Sequence, residues 1–364
     1  MTALKQKPIV VMAGGTGGHV FPALAVAEYL RGNGETIVWF GTRAGIEARV
    51  VPAAHFAVEW ISVQGLRGKG LLDLALAPLK LCLAFLQALR ALIRLRPKAV
   101  LGMGGFVSGP GGFVAWLLDI PLFIHEQNSV IGLTNRLLCR LASRSYFAFP
   151  DAAHNVPRSE CIGNPVRADL ANLPAPEIRF NSDTGQPMNL LVIGGSLGAA
   201  SLNRYLPEAV ALIDASQRPH IKHQCGSKHV ERCEQNYRDV GVDVEVCGFV
   251  DDMRGAYAWA DLVVCRSGAL TIAELAAVGV ASILIPYPYA VDNHQYFNAR
   301  FLEQKQAARI VTEDELNAQT LSSQLIYFQQ HRDERLSMAV NARALAKPEA
   351  TESLAQGVLA GAKS

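Results

Sequence analysis

The chain has 364 residues, half of them hydrophobic and 18% charged, which excludes a disordered chain and suits two domains of roughly 100–200 residues better than one core. The formal net charge of +2 says little about partners, and no nucleic-acid partner is expected. Seven cysteines, scattered and never in a C-x-x-C, exclude a disulfide framework and a zinc site and fit a reducing compartment.

Taken in order, the N-terminal residues carry no long apolar run with a cleavage site, so no secretory signal is expected. Residues 9–13 form a continuous apolar run, the mark of a strand buried on both faces of a parallel sheet. Gly14-Gly15-Thr16-Gly17-Gly18-His19 follows, then a helix expected from about 22 to 30, then a strand over 36–40. The glycine loop fails two phosphate fingerprints. G-x-G-x-x-G would need glycine where Val20 stands, and a P-loop would need Lys after Gly18, where His19 stands. NAD and ATP are therefore not indicated. A lone histidine is more often structural, but His19 ends a four-glycine loop where nothing bulky shields it, which favours a functional role.

Between Gln64 and Lys98, seven basic residues (Arg67, Lys69, Lys80, Arg90, Arg94, Arg96, Lys98) stand against Asp73 alone. The same segment is rich in leucine but does not reach ~20 uninterrupted apolar residues, so it is no transmembrane span. It fits a buried helix pair and, equally, a surface resting on an anionic leaflet. A strand at 99–101 leads into a second glycine-rich loop, 102–112. The next strand, 121–124, ends in His125-Glu126-Gln127-Asn128. Four polar side chains at a strand C-terminus mark a site in open α/β sheets. A further strand is expected at 144–148.

Residues 168–188 are polar and rich in Pro, Asn and Asp, as in a linker. A strand at 190–193 followed by Gly194-Gly195-Ser196-Leu197-Gly198 echoes residues 9–19 and opens a second Rossmann-like half. Strands are expected at 220–225, 244–247, 262–265 and 281–285. The stretch 261–275 reads as strand, Ser267-Gly268 turn, and helix from about Ala269. Its helix start can receive a phosphate or diphosphate without a metal, and Glu274 lies beyond it within reach of a sugar hydroxyl. The bland alternative is an ordinary strand–turn–helix with a solvated glutamate. His294-Gln295 opens another helix, and the tail from Leu316 is helical with a break at Pro348. The fold class is α/β: two Rossmann-like domains facing across a cleft, with ligand groups at the C-terminal edges of both sheets.

In this order the strings GGTGGH (14–19), GLRGKG (65–70), GMGGFVSGPGG (102–112), HEQN (125–128), GNPVR (163–167), GGSLGA (194–199), FVDDM (249–253) and CRSGALT (265–271), with HQ at 294–295 and NA at 298–299, resemble one family. It is the peripheral-membrane N-acetylglucosaminyltransferase of bacterial cell-wall synthesis. The resemblance spans about residues 8–350 and implies the GT-B architecture. It places an acceptor- and membrane-binding domain at 1–167 and a UDP-N-acetylglucosamine domain at 168–345, with a C-terminal helix at about 346–364 packing back on the first. It implies transfer of N-acetylglucosamine from UDP-N-acetylglucosamine to undecaprenyl-diphospho-N-acetylmuramoyl-pentapeptide at the cytoplasmic face of the inner membrane. An anionic surface would be met through about 65–98, and cell-envelope protein partners are compatible with the role.

By position, the resemblance implies that the Val250 backbone reads uracil with Arg167 nearby and that Glu274 holds the ribose. Ser196, Ala269, Leu270 and Thr271 would bind the diphosphate, and His294 and Gln295 the N-acetylglucosamine. Thr16, Gly17, Gly18 and Asn128 would complete the site. Phe106 and Leu197 stand where the family often has Tyr and Gln, so any contact through those polar groups is lost. No D-x-D motif is present, and neither a metal nor another cofactor is required. His19 is the candidate base, because imidazole titrates near operating pH, and Glu126 is its reserve. Direct displacement would invert the anomeric centre. Three rivals remain at this level: a hydrolase using Ser196, Asp261 and His294 around G-x-S-x-G, a UDP-N-acetylglucosamine epimerase, and a non-catalytic membrane scaffold.

Overall fold

The computed structural model describes residues 6–63, 76–180, 187–195 and 198–363. The chain divides into two units, Met1–Arg167 with Lys347–Ser364, and Ala168–Ala346. The loop expected at 65–70 and Ser196 both lie outside the described residues.

The first unit is built on a parallel sheet of β1 (Ile9–Met12), β2 (Ile37–Gly41), β3 (Ala57–Trp60), β4 (Ala99–Gly102), β5 (Leu122–Glu126), β6 (Arg144–Phe147) and β7 (Ser159–Cys161). Their spatial order is β3-β2-β1-β4-β5-β6-β7, so the direction of winding reverses between β1 and β4. Every residue of β1 is buried because alternate side chains feed different layers. Ile9 and Val11 join the cluster under helix Gly17–Gly32, while Val10 and Met12 join the one under helices Ala77–Leu95 and Ser108–Leu117. The last helix, Ala350–Ala360, packs on helix Gly17–Gly32 and adds Leu354, Ala355 and Val358 to the first cluster.

The second unit repeats the plan with β8 (Asn189–Ile193), β9 (His220–Gln224), β10 (Glu245–Cys247), β11 (Leu262–Cys265), β12 (Ala281–Leu284) and β13 (Arg309–Ile310). Its order is β10-β9-β8-β11-β12-β13, and the reversal falls between β8 and β11. The short strands β3, β7 and β13, which apolar runs did not reveal, lie at or next to the sheet edges, where one partner suffices.

The expected linker at 168–188 is partly ordered structure. Helices Ala168–Ala171 and Pro176–Arg179 belong to the second unit. Arg179 explains why. Its guanidinium donates to the carbonyls of Val278 and Gly279, at 2.7 and 2.5 Å, where helix Ala269–Val278 ends. Those carbonyls lack partners within the helix and carry its negative end, so a cation suits them.

Strand β5 runs two residues further than expected and includes His125 and Glu126. His125 is fully buried, with Nε2 2.9 Å from the Gly163 carbonyl and Nδ1 3.1 Å from the Gln127 amide nitrogen. The amide nitrogen can only donate, so Nδ1 accepts and the ring proton sits on Nε2. Burial pushes the imidazole pKa down from 6.5 to about 4. The unfolded chain therefore takes up a proton first as pH falls. Stability from His125 is complete above about pH 6.5 and is lost progressively as pH drops from there through about 4, by roughly 3 kcal/mol. An imidazole NMR titration should find His125 neutral at pH 5 while urea midpoints fall over the same window; a charged ring at pH 6 would contradict this.

Candidate active site

The first reversal point carries the first glycine loop. Thr16 is extended (φ −110°, ψ 160°) and caps helix Gly17–Gly32, its carbonyl accepting from the His19 and Val20 N–H groups. The helix thus begins five residues earlier than the apolar periodicity implied. Gly17, Gly18 and half-buried His19 form its first turn, and no side chain caps it. Against this turn lies the loop after β4. Gly104 (φ +97°) has no space for a side chain, since a Cβ there would stand 2.6 Å from the His19 ring. Gly105 (φ +83°) lies on the Gly14 backbone, where a Cβ would collide with the Gly14 carbonyl. The His19 imidazole therefore rests on bare backbone, and the two loops that carry it are pressed together.

Glu126 has a role different from the reserve base. Its Oε1 accepts from the Asn128 N–H (3.0 Å) and side-chain amide (3.2 Å), and its Oε2 from the Gly132 N–H (3.1 Å) and Asn135 amide (2.9 Å). Four donors occupy the lone pairs of a carboxylate only 2% exposed. It folds the loop 126–132 and orients half-buried Asn128, leaving no oxygen disposed to take a substrate proton. Glu47 and Asn135 are the groups missed in this unit. Glu47 is fully buried and braces the first glycine loop through the Gly15 N–H at 2.9 Å.

In the second unit, Gly268 (φ −62°, ψ 145°) starts helix Ala269–Val278 with no side-chain cap. Ala269 is buried, whereas Leu270, Thr271 and Glu274 are half-buried on the same helix. The Thr271 hydroxyl lies beside Gly268, 3.7 Å from where its Cβ would be. Glu274 Oε2 accepts from the Tyr257 hydroxyl at 3.1 Å, which fixes the carboxylate on one side. The second helix start, His294–Glu303, is bound to the first: Ser267 Oγ donates to the Gln295 carbonyl (2.8 Å), and the Asn298 amide donates to the Ser267 carbonyl (3.2 Å). Gln295 Oε1 accepts from the Tyr287 N–H, and His294 Nδ1 lies 2.8 Å from the Val291 carbonyl. Val250 stands half-buried in the loop after β10, ahead of a helix capped by Asp252. Arg167 is exposed at the end of the first unit.

Two groups in this unit escaped the sequence reading. Gln224 accepts from the Gly195 N–H (3.0 Å) and donates to the carbonyls of Gly195 and Gly248, holding the loop after β8 to the loop after β10. Arg266 joins three segments, donating to the Ile285 carbonyl, to Ser201 Oγ and to the Glu313 carboxylate at 2.5 Å. A charged residue between buried Cys265 and Ser267 was the available signal.

The hydrolase alternative fails on topology. Asp261 precedes β11 and accepts from the Asn189 N–H at 2.7 Å, at the N-terminal edge of the sheet. His294 follows β12 at the C-terminal edge, so a strand length of roughly 13 Å separates the two levels. Among the described residues, no three His, Cys, Asp or Glu side chains gather as a metal-ligand set.

Comparison with known proteins covers nearly the whole chain. Residues 9–147 match the glycosyltransferase family 28 N-terminal domain, and residues 189–354 the glycosyltransferase family 28 C-terminal domain. The UDP-N-acetylglucosamine--N-acetylmuramyl-(pentapeptide) pyrophosphoryl-undecaprenol N-acetylglucosamine transferase of Cupriavidus metallidurans is 51% identical over 97% of this chain and 98% of its own. The enzyme of the same name from Aromatoleum aromaticum is 52% identical over 96% and 97%. The crystal structure of Acinetobacter baumannii MurG superposes with a TM-score of 0.82 at 38% identity, covering 98% of this chain and all of that one. A UDP-GlcNAc 2-epimerase from Neisseria meningitidis shares the fold alone, with a TM-score of 0.67 at 12% identity over 98% of this chain and 100% of that one. The chain belongs to the UDP-N-acetylglucosamine–N-acetylmuramyl-(pentapeptide) pyrophosphoryl-undecaprenol N-acetylglucosamine transferases, within glycosyltransferase family 28.

Proposed function

We propose that this chain, which transfers N-acetylglucosamine from UDP-N-acetylglucosamine to undecaprenyl-diphospho-N-acetylmuramoyl-pentapeptide, does so with His19 as base and the Gly268–Thr271 helix start as leaving-group stabiliser. The observation that carries this is the uncapped start of helix Ala269–Val278 at the reversal point of the second sheet. Departing UDP gathers negative charge on its diphosphate. Oriented N–H groups and the positive helix end meet that charge without reorganising, so no metal is needed. Thr271 adds a hydroxyl beside the turn, Glu274 takes the ribose, the Val250 backbone takes uracil, and His294 and Gln295 take the sugar. Ser196 and Arg167 complete the donor set.

On the first unit, His19 removes the proton of the acceptor hydroxyl as it attacks the anomeric carbon, inverting it. Asn128, held by Glu126, and the N–H groups of Gly17 and Gly18 position polar groups of the substrates. General-base catalysis of this kind contributes about 10²–10⁴-fold.

The lipid-linked acceptor calls for a membrane face, and helix Ala77–Leu95 supports one. Ala84, Ala88 and Ala91 face the core, while Leu79 (69% exposed), Leu81, Leu83, Leu86 and Ile93 face outward. Beside it Phe113, Trp116 and Leu117 of helix Ser108–Leu117 and Leu133 and Leu137 of helix Leu133–Leu138 are also exposed. Folded monomers seldom leave so many large apolar groups together. Lys80, Arg90 and Arg140 are exposed among these helices, whereas Arg94 and Lys98 pair with Glu59 and Glu35 and add less to the field than their number implies. No helix of the described residues is long and apolar enough to cross a membrane; the exposed apolar face and its flanking cations are what support peripheral docking, at the cytoplasmic face.

Radiolabelled transfer to a muramoyl-pentapeptide lipid should persist in excess chelator; loss of turnover, restored by a divalent cation, would overturn the metal-free reading. His19→Ala should lower kcat by about 10²-fold or more with UDP affinity unchanged, and a near-normal rate would remove His19 from the base role. Leu79→Glu with Leu86→Glu should abolish flotation with anionic vesicles while activity on a short-chain soluble acceptor persists; unchanged flotation would place the membrane face elsewhere.

A further inference from the structure

We infer that Glu47 is a positioning residue for the transfer, a brace that sets the first glycine loop so that His19 meets the acceptor hydroxyl; the inference rests on His19 being the base. Glu47 opens the short helix Glu47–Ala53 and is completely buried. Its Oε2 accepts from the Gly15 N–H at 2.9 Å. Its Oε1 accepts from the Thr42 N–H at 3.0 Å and from Thr42 Oγ at 2.6 Å. One carboxylate thus ties the loop after β1 to the loop after the neighbouring strand β2.

Three glycines make room for it. A Cβ at Gly14 would stand 2.6 Å from Oε1 and one at Gly41 3.0 Å from Cγ, while one at Gly45 would collide with the carboxylate. Burying a carboxylate is costly unless donors satisfy it, and these three satisfy it with no cation among them. Glutamine has the same size but one acceptor oxygen. Whichever way its amide turned, an NH₂ would oppose the N–H of Gly15 or of Thr42.

Gly15, which the brace holds, lies one residue from the Thr16 cap and four from His19. Releasing Gly15 frees the turn that aims the imidazole, while Gly104 and Gly105 still press from the other side. A misplacement of about 1 Å can cost on the order of 10²-fold in rate. The donor residues of the second unit are untouched.

The test is a double-mutant cycle of Glu47→Gln and His19→Ala, with kcat, KM for both substrates, UDP affinity and thermal unfolding measured on each variant. Glu47→Gln should lower kcat by about 10–100-fold with donor KM changed less than about twofold, and should add less than about twofold to the loss already caused by His19→Ala. Multiplicative losses in the double variant, or a kcat for Glu47→Gln within about twofold of the parent, would overturn the inference. If Glu47→Gln does not fold, Thr42→Val removes one donor and keeps the carboxylate. A smaller kcat loss that disappears in the His19→Ala background supports the brace, and an additive one overturns it. A near-normal His19→Ala rate sinks the base reading on its own arm of the cycle and takes this inference with it.

Discussion

At the end of the first sheet the backbone of Gly105 lies on the carbonyl of Gly14 with no space for a Cβ between them. The arrangement of the candidate site depends on that contact. Positive φ at Gly104 and Gly105 is open to glycine at little cost, and it lets the loop after β4 close over the turn that starts helix Gly17–Gly32. The second unit meets the same demand at Gly198 (φ +78°), where a Cβ would collide with the Cys225 carbonyl. Backbone that approaches this closely presents N–H groups outward, but it has no side chains with which to hold its own shape.

Each unit therefore borrows a side chain from elsewhere. In the first it is the carboxylate of Glu47, an acceptor only. In the second it is the amide of Gln224, which both accepts from and donates to Gly195. A neutral brace under the loop after β8 adds no negative charge beside a helix start proposed to receive a diphosphate. At the far end of that helix, the Arg179 guanidinium and the left-handed Gly279 satisfy the last carbonyls. One end of the helix is closed by protein, and the other carries no side-chain cap.

The fold was legible because its signals are local. Continuous apolar runs revealed β1, β4 and β8, each leading into a glycine-rich loop, and β11, leading into Ser267-Gly268; the sheet order, which the sequence does not give, puts these strands beside the two reversal points. The edge strands β3, β7 and β13 gave no such run, since strands at the rim need not be buried on both faces. Among the residues expected in the site, His19, Asn128, Thr271 and Gln295 sit at strand ends or in the first turn of a helix, and Glu274 lies further along the helix that Gly268 starts. The braces were not legible. Glu47 and Gln224 act on glycines 32 and 29 residues away, and no spacing rule connects them. The sequence offers Glu126 as a reserve base; only the geometry shows its oxygens already occupied by the loop it folds.

Residues 347–363 complete the first unit: Lys347 packs over Gly163, Gly357 over the Tyr146 hydroxyl, and the Lys363 N–H bonds the Lys98 carbonyl. This imposes an order on biogenesis. When Arg167 leaves the ribosome, the seam of helix Gly17–Gly32 that will receive Leu354, Ala355 and Val358 is still bare. It stays bare until the entire second unit has been made, which at roughly 5–20 residues per second takes on the order of ten seconds or more. During that interval all seven strands of the sheet exist, but the layer that covers helix Gly17–Gly32 is one helix short and exposes apolar surface on the nascent chain. Truncation near the C-terminus would therefore damage the domain that was synthesised first.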